Sequence, residues 1–273
     1  MECSTFLASF RFKTPKVDCM NSLPFDRVEY QRISEARGAF LRRVLPDLKA
    51  VQRLSTAVDA GCGVGFFSSL LEENGFHVKG FDVRPENVEE ARRRYPAISF
   101  EIGNVESAEV TNLGQFDLVV CFGLLYHLEN PFQALRNMCA LAKDALLLES
   151  MCVPDGRPCL VLRDECRGDD QGLNYVAFYP SESALTKMCY KAGFPYVYRF
   201  VWLPEHEDFR ASRHSKRRRT VLLAAKTPHD TPALSLLAEP LSGADPWKTA
   251  WARVLEPLKR LRRSAGKPWR DKA

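Results

Sequence analysis

The residues best able to do chemistry in this sequence gather around one turn, Val58-Asp59-Ala60-Gly61-Cys62-Gly63-Val64-Gly65. Gly61, Gly63 and Gly65 lack the side chains that would block a tight bend and the close approach of backbone to a ligand. A second apolar run ends in Asp82 about twenty residues on, a spacing that sets a carboxylate beside a ribose in a nucleotide-type site. Asp59, an acid within the turn, is less typical of a dinucleotide dehydrogenase and suits a cationic cofactor. Two further groups stand out: Tyr126-His127, which follows the apolar run 116–121, and Arg219, which opens the run 220–225.

These residues need a scaffold, and the hydrophobic periodicity predicts one. Thr56–Asp59 reads as a strand and Phe66–Glu73 as a helix stopped by Asn74-Gly75. A strand ends at Asp82. Pro85 opens a helix at its first position, with Glu86, Glu89 and Glu90 near its start and Arg92, Arg93 and Arg94 near its end, as the helix dipole favours. Ile98–Ile102, Phe116–Cys121 and Ala145–Glu149 read as strands, with a helix at Pro131–Leu141. Such alternation predicts a Rossmann-like, doubly wound, mostly parallel α/β sheet. Ser181 caps a helix running to Lys191, which Gly193 ends. Tyr196–Leu203 and Thr220–Ala225 form an antiparallel closing pair. Upstream, Asp26–Leu45 is an amphipathic helix that Pro46 breaks.

The expected organisation is therefore one domain over 26–226 after a loose lead-in, 1–25. A Pro- and Gly-rich insert at 151–180 interrupts it, a length usual for functional segments. Residues 227–273 read as a proline-marked linker and basic tail, in which Trp247–Arg263 can form an amphipathic helix.

With 273 residues, 45% hydrophobic and 27% charged, the composition is that of an ordinary globular chain. No apolar run reaches the roughly 18 residues that span a bilayer, and Met1–Lys16 lacks a secretory pattern. The nine cysteines include no C-x-x-C pair, so no metal site is expected and the thiols read as reduced and cytoplasmic. The net charge of +5 is unevenly spread: Arg210–Arg219 holds six basic residues and Lys259–Lys272 seven, which leaves the body acidic. Local basicity of this kind is a surface for phosphate, RNA or anionic lipid, or a plain solvated surface.

Together the D-A-G-C-G-V-G turn, Asp82, Gly103-Asn104-Val105 and Phe116–Cys121 resemble the class I S-adenosylmethionine-dependent methyltransferases over roughly residues 40–226. The resemblance implies S-adenosyl-L-methionine as cofactor. Asp59 would lie near its ammonium and sulfonium, Asp82 would accept from both ribose hydroxyls, Asn104 would accept from the adenine amino group, and Val105 would pack on the ring. Cys121 falls in the cofactor set by position, and reads equally as a small buried hydrophobe. Asn104 also reads as a turn residue. A non-catalytic cofactor-binding or scaffold domain is the remaining alternative.

Methyl transfer needs an in-line approach to the methyl carbon and a base only for a hydroxyl or ammonium acceptor. The stretch Gly123–Pro131 lies at the carboxyl end of a central strand, where an acceptor would enter. His127 is there as a general base or as a loop-shaping residue, with Tyr126 beside it.

A narrower likeness runs through Gly-Leu-Leu-Tyr-His-Leu-Glu-Asn-Pro (123–131), Asn174–Ser181, Arg219–Ala224 and Arg43–Leu48. These stretches resemble the enzymes that transfer a carboxymethyl group to the wobble uridine of tRNA. The resemblance implies that Tyr126 and Arg219 hold the extra carboxylate of carboxy-S-adenosyl-L-methionine. A third holder, a lysine, has no counterpart in this sequence, so the plain methyl donor is expected. The first acceptor class is a small metabolite or glycan intermediate. The second is tRNA, reached through Arg210–Arg219.

Overall fold

The computed structural model describes residues 24–165, 172–210 and 218–240. Its centre is an eight-stranded sheet of order β3-β2-β1-β4-β5-β9-β8-β10. The parallel part consists of β1 (Thr56–Ala60), β2 (His77–Asp82), β3 (Ser99–Ile102), β4 (Phe116–Phe122) and β5 (Ala142–Cys152). The antiparallel flank is β8 (Tyr196–Phe200), β9 (Arg218–Ala225) and β10 (Leu234–Leu236). This is the expected mostly parallel α/β fold with an antiparallel edge.

Strands buried on both faces read as continuous apolar runs, and β4 shows why. Leu118, Val120 and Phe122 pack towards α1 (Val28–Val51) and α2 (Phe66–Glu73). Val119 and Cys121 pack towards α4 (Pro131–Leu141) and α5 (Glu182–Ala192). Alternate side chains thus feed two cores. A smaller core under α3 (Pro85–Arg94) holds Val88, Ala91 and Phe100.

Three expectations change. Helix α1 runs through Pro46 to Val51. The proline removes one backbone donor, at about 3 kcal/mol, but the next turn buries Leu48 and docks Lys49, whose Nζ donates to Asn74 O (2.8 Å) and Gly75 O (3.2 Å). Next, the insert is not all loop. β5 extends to Cys152, and β6 (Leu160–Asp164) pairs antiparallel with β7 (Val176–Pro180) as a hairpin. Its face is half exposed and lacks the apolar alternation that marks a core strand.

Finally, the chain does not leave the domain at 226. His229 is buried, its Nε2 lies 2.9 Å from Asp144 Oδ2, and its N–H donates to Tyr198 Oη (3.0 Å). β10 then adds an edge to β8. Four prolines suggest a linker by composition, but a single buried histidine and three paired residues override them. The lead-in before residue 24 and the Trp247–Arg263 helix lie outside the described residues.

Candidate active site

Strand order reverses at β1, so the carboxyl ends of β1 and β4 open a crevice of the kind that binds ligands in open α/β sheets. The glycine turn fills its floor. Gly61 and Cys62 N–H both donate to Phe81 O (2.9 and 3.0 Å), tying the turn to β2. Gly61 and Gly63 have φ of +71° and +53°. A Cβ on them would stand 2.7 Å from Leu124 and 2.7 Å from Phe25, so only glycine fits the packing as well as the bend. Gly65 is the left-handed cap that starts α2.

Asp82 closes β2 beside this turn. Its Oδ2 accepts from Gly63 N–H (3.0 Å), and its Oδ1 accepts from Arg84 N–H (3.0 Å) and Asn87 Nδ2 (3.1 Å). A carboxylate has about four acceptor positions, so one remains, on Oδ2.

Three cavities ring the turn. The first is a narrow slot of about 70 Å³ with Gly61, Asp82, Asn104 and Val105 on its walls, closed by Leu173 and Asn174 from the insert. Asn174 Nδ2 donates to Glu129 Oε1 (2.6 Å), which holds the closure. The second, about 670 Å³, is walled by Tyr30, Tyr126, Met151, Tyr179 and Arg219 among others. The third, about 220 Å³, lies between the start of α1 and the glycine turn. Gly61 is common to the slot and the third cavity, Tyr30 to the third and the second, and His127 to the second and the slot.

His127 is the residue at this junction. Its Nδ1 meets Glu165 Oε1, while its Nε2 is buried without a partner. Next to it, Tyr126 Oη accepts from Arg219 Nη2 (3.1 Å). Arg219 is itself held by Glu149 Oε1 (3.0 Å) and Asp208 Oδ2 (3.3 Å), and Glu149 Oε2 lies 3.0 Å from Arg37 Nη2. Burial alone would raise the Glu149 carboxyl, but the flanking Arg37 and Arg219 guanidiniums outweigh it and hold it below the usual carboxylate range. Burial pushes the Tyr30 phenol up to about 12, so it stays a donor.

The structure corrects several site expectations. Asp59 is 1% exposed and its Oδ2 accepts from Ser68 Oγ (2.7 Å), away from all three cavity walls. Burial pushes it up to about 7, against the pull of Ser68 and with the help of Asp82. It braces α2 through Ser68 and lines none of the three cavities. Cys121, the penultimate residue of β4, is fully buried in the α4/α5 core and lines none of the three cavities. Asn104 lines the slot, but its Oδ1 already accepts from Glu106 N–H (2.9 Å), as a turn residue does. Of the basic run, Arg218 pairs with Glu182 (2.7 Å) and Arg219 with Glu149, while 211–217 lie outside the described residues.

Arg37, Glu149, Glu165 and Asp208 were not legible as site residues. Each is an ordinary charged residue on its own element, and only the tertiary fold pairs it.

A family model described as a methyltransferase domain matches residues 28–198. The chain belongs to that family and carries its S-adenosylmethionine-binding fold. It is 30% identical over 145 residues to the tRNA U34 carboxymethyltransferase of Campylobacter jejuni subsp. doylei, covering 50% of this chain and 48% of that one. It is 29% identical over 115 residues to a ubiquinone biosynthesis O-methyltransferase of Vibrio parahaemolyticus, covering 41% and 43%. The chain thus spans about half the length of these curated relatives. Among solved structures, the N-terminal domain of EvdMO1 with S-adenosylhomocysteine bound is similar at 22% identity and TM-score 0.56, covering 70% of this chain and 79% of that one. The amino pentose methyltransferase CalS10 of Micromonospora echinaspora is similar at 20% identity and TM-score 0.52, covering 74% and 98%. Both share the fold. Among the described residues, no helix is long and apolar enough to cross a membrane.

Proposed function

We propose that this chain transfers the methyl group of S-adenosyl-L-methionine to a small neutral or cationic acceptor bound in the second cavity. The observation that carries this reading is His127 standing in the wall of both the slot and the larger cavity. The cofactor fits the ring of cavities by chemistry. Its adenosine would occupy the slot, with Asp82 on one ribose hydroxyl, Val105 against the adenine and Asn104 at its edge. Its amino acid end would lie in the third cavity over Gly61 and Gly63, where Ser34 Oγ is buried without a partner and Glu35 supplies negative charge for an ammonium, Asp26 being paired with Arg94 (3.1 Å). The sulfonium would then face the acceptor across His127 and Tyr126.

The acceptor's charge class follows from the second cavity. Glu29, Asp164, Glu165, Glu207 and Asp208 line it against Arg27, Arg32 and Arg219, so carboxylates outnumber guanidiniums. Arg219, moreover, spends its charge on Glu149 and Asp208. An anionic acceptor, or the extra carboxylate of carboxy-S-adenosyl-L-methionine, would enter a field of the wrong sign. Three tyrosines on the wall suit the apolar faces of a sugar or a ring.

The second reading is a tRNA wobble-uridine carboxymethyltransferase, favoured by the 30% identity to such an enzyme. Against it stands the internal neutralisation of Arg219. The free thiols of the described cysteines support a reducing, cytoplasmic location. The deciding experiment incubates the protein with methyl-labelled S-adenosylmethionine and, separately, bulk tRNA and a small-molecule cell extract. Label in the small-molecule fraction is the expected result; label confined to tRNA overturns the first reading.

A further inference from the structure

We infer that the insert hairpin supplies Glu165 as the positioning residue for His127, and that His127 Nε2 takes the proton from a hydroxyl of the acceptor. The inference rests on the methyl-transfer reading above and narrows its acceptor to an alcohol or phenol.

The geometry is specific. Glu165 follows the last residue of β6, and its N–H donates to Tyr175 O (2.7 Å), which fixes it at the connecting end of the hairpin. Its side chain is 13% exposed and that of His127 is 8% exposed, so the contact between them is largely out of water. A carboxylate only accepts, so a neutral imidazole facing it must carry its hydrogen on Nδ1. The lone pair is then on Nε2, the atom left without a partner. Gly172 packs against the pair from the far side of the hairpin. A Cβ there would stand 2.6 Å from Glu165 Oε2 and 3.2 Å from His127 O. The glycine thus leaves room for the Glu165 carboxylate, which a Cβ would crowd at Oε2.

An oriented base points to the acceptor atom. An unprotonated amine or a carbanion attacks a sulfonium methyl without losing a proton first, whereas a hydroxyl is a weak nucleophile until its proton has a destination. In the step, an oxygen lone pair of the acceptor forms the bond to the methyl carbon. The carbon–sulfur bond breaks with both electrons going to sulfur, which turns the sulfonium into a neutral thioether. The hydroxyl proton passes to His127 Nε2, and the imidazolium so formed is stabilised by Glu165 at Nδ1. That proton later leaves to solvent. The products are a methyl ether and S-adenosylhomocysteine, with charge and electrons balanced.

The test joins a tautomer measurement to a rate. Nitrogen-15 NMR of the histidine rings, with His127→Ala to assign the signal, should find neutral His127 protonated on Nδ1. Glu165→Gln and Gly172→Ala should each lose that preference while binding S-adenosylhomocysteine by calorimetry as the wild type does. Label transfer into the small-molecule extract should fall about 10²–10⁴-fold in His127→Ala and about 10–10²-fold in Glu165→Gln, at unchanged apparent KM for the cofactor. Glu165→Asp should recover part of the loss. An Nε2-protonated His127 in the wild type overturns the inference, as does full transfer by Glu165→Gln. An Nδ1-protonated His127 in a wild type that labels no small molecule overturns instead the methyl-transfer reading, and the base role with it.

Discussion

Arg219 Nη1 lies 3.0 Å from Glu149 Oε1 in a site where Glu149 is fully buried, and this contact decides what Arg219 can do for a ligand. With Arg37 on the other carboxylate oxygen, the group forms a buried Arg–Glu–Arg triad under the second cavity. Removing the central acid would leave Arg37 without its carboxylate and Arg219 with Asp208 alone. Glu149→Gln is expected to cost about 3–5 kcal/mol of stability, read by chemical denaturation. A loss below 1 kcal/mol would mean that water reaches the triad.

Arg219→Ala tests donor choice. Wild type should bind plain S-adenosylmethionine more tightly than the carboxylated form, and the variant should keep that order. The check is calorimetric titration of both cofactors into both proteins. A clear wild-type preference for the carboxylated form, lost in the variant, would restore the wobble-uridine reading.

Asp82→Ala should weaken S-adenosylhomocysteine binding by about 1.5–3 kcal/mol, the worth of a hydrogen bond to a charged group, or about 10–100-fold in Kd. Part of that loss comes from Gly63, whose N–H loses its acceptor and with it the rigidity of the turn. Unchanged affinity in a folded variant would remove Asp82 from the site.

Asp59 predicts a pH dependence of stability. Its folded-state pKa is raised to about 7 from 3.8, so between about pH 4 and 7 the folded protein holds a proton that the unfolded chain has released. Raising the pH through that window therefore favours unfolding. Asp59→Asn keeps an acceptor for Ser68 and has no proton to lose. The variant should match wild type near pH 4 and gain a few kcal/mol over it by pH 8, measured by urea denaturation across pH. A constant difference at all pH values would show that Asp59 stays ionised in the fold.

Ending the chain at residue 226 should lower Tm and broaden unfolding. Removing 227–240 takes away β10 and leaves Asp144 without His229 and Thr227. The expected marker is a thermal melt by circular dichroism; an unaltered Tm would make that segment an ornament on the fold.

Much of the fold was legible because its signals are local. Helices Phe66–Glu73 and Pro131–Leu141 and the end of β2 at Asp82 carry their own stops and starts in neighbouring residues. Pro46 misled because a local break was outweighed by burial one turn later. The candidate site was only half legible. Asp82 and His127 follow from position after a strand, but Glu165 lies 38 residues from His127 and Glu149 lies 70 residues from Arg219. No periodicity reports such pairings. Nor does periodicity separate Asp59 facing α2 from an acid facing a ligand, since both read as an acid before a glycine turn.

The insert touches two cavities through one short stretch of backbone, and this makes cofactor and acceptor thermodynamically answerable to each other. Leu173 and Asn174 close a slot of about 70 Å³, and Gly172 joins them to the contact between Glu165 and His127. If adenosine takes the slot as proposed, it packs against Leu173 and Asn174, one step along the backbone from Gly172. By reciprocity, whatever factor the first ligand imposes on the affinity of the second is returned in full. The natural outcome is an ordered sequence of loading, with the nucleoside seated before the acceptor.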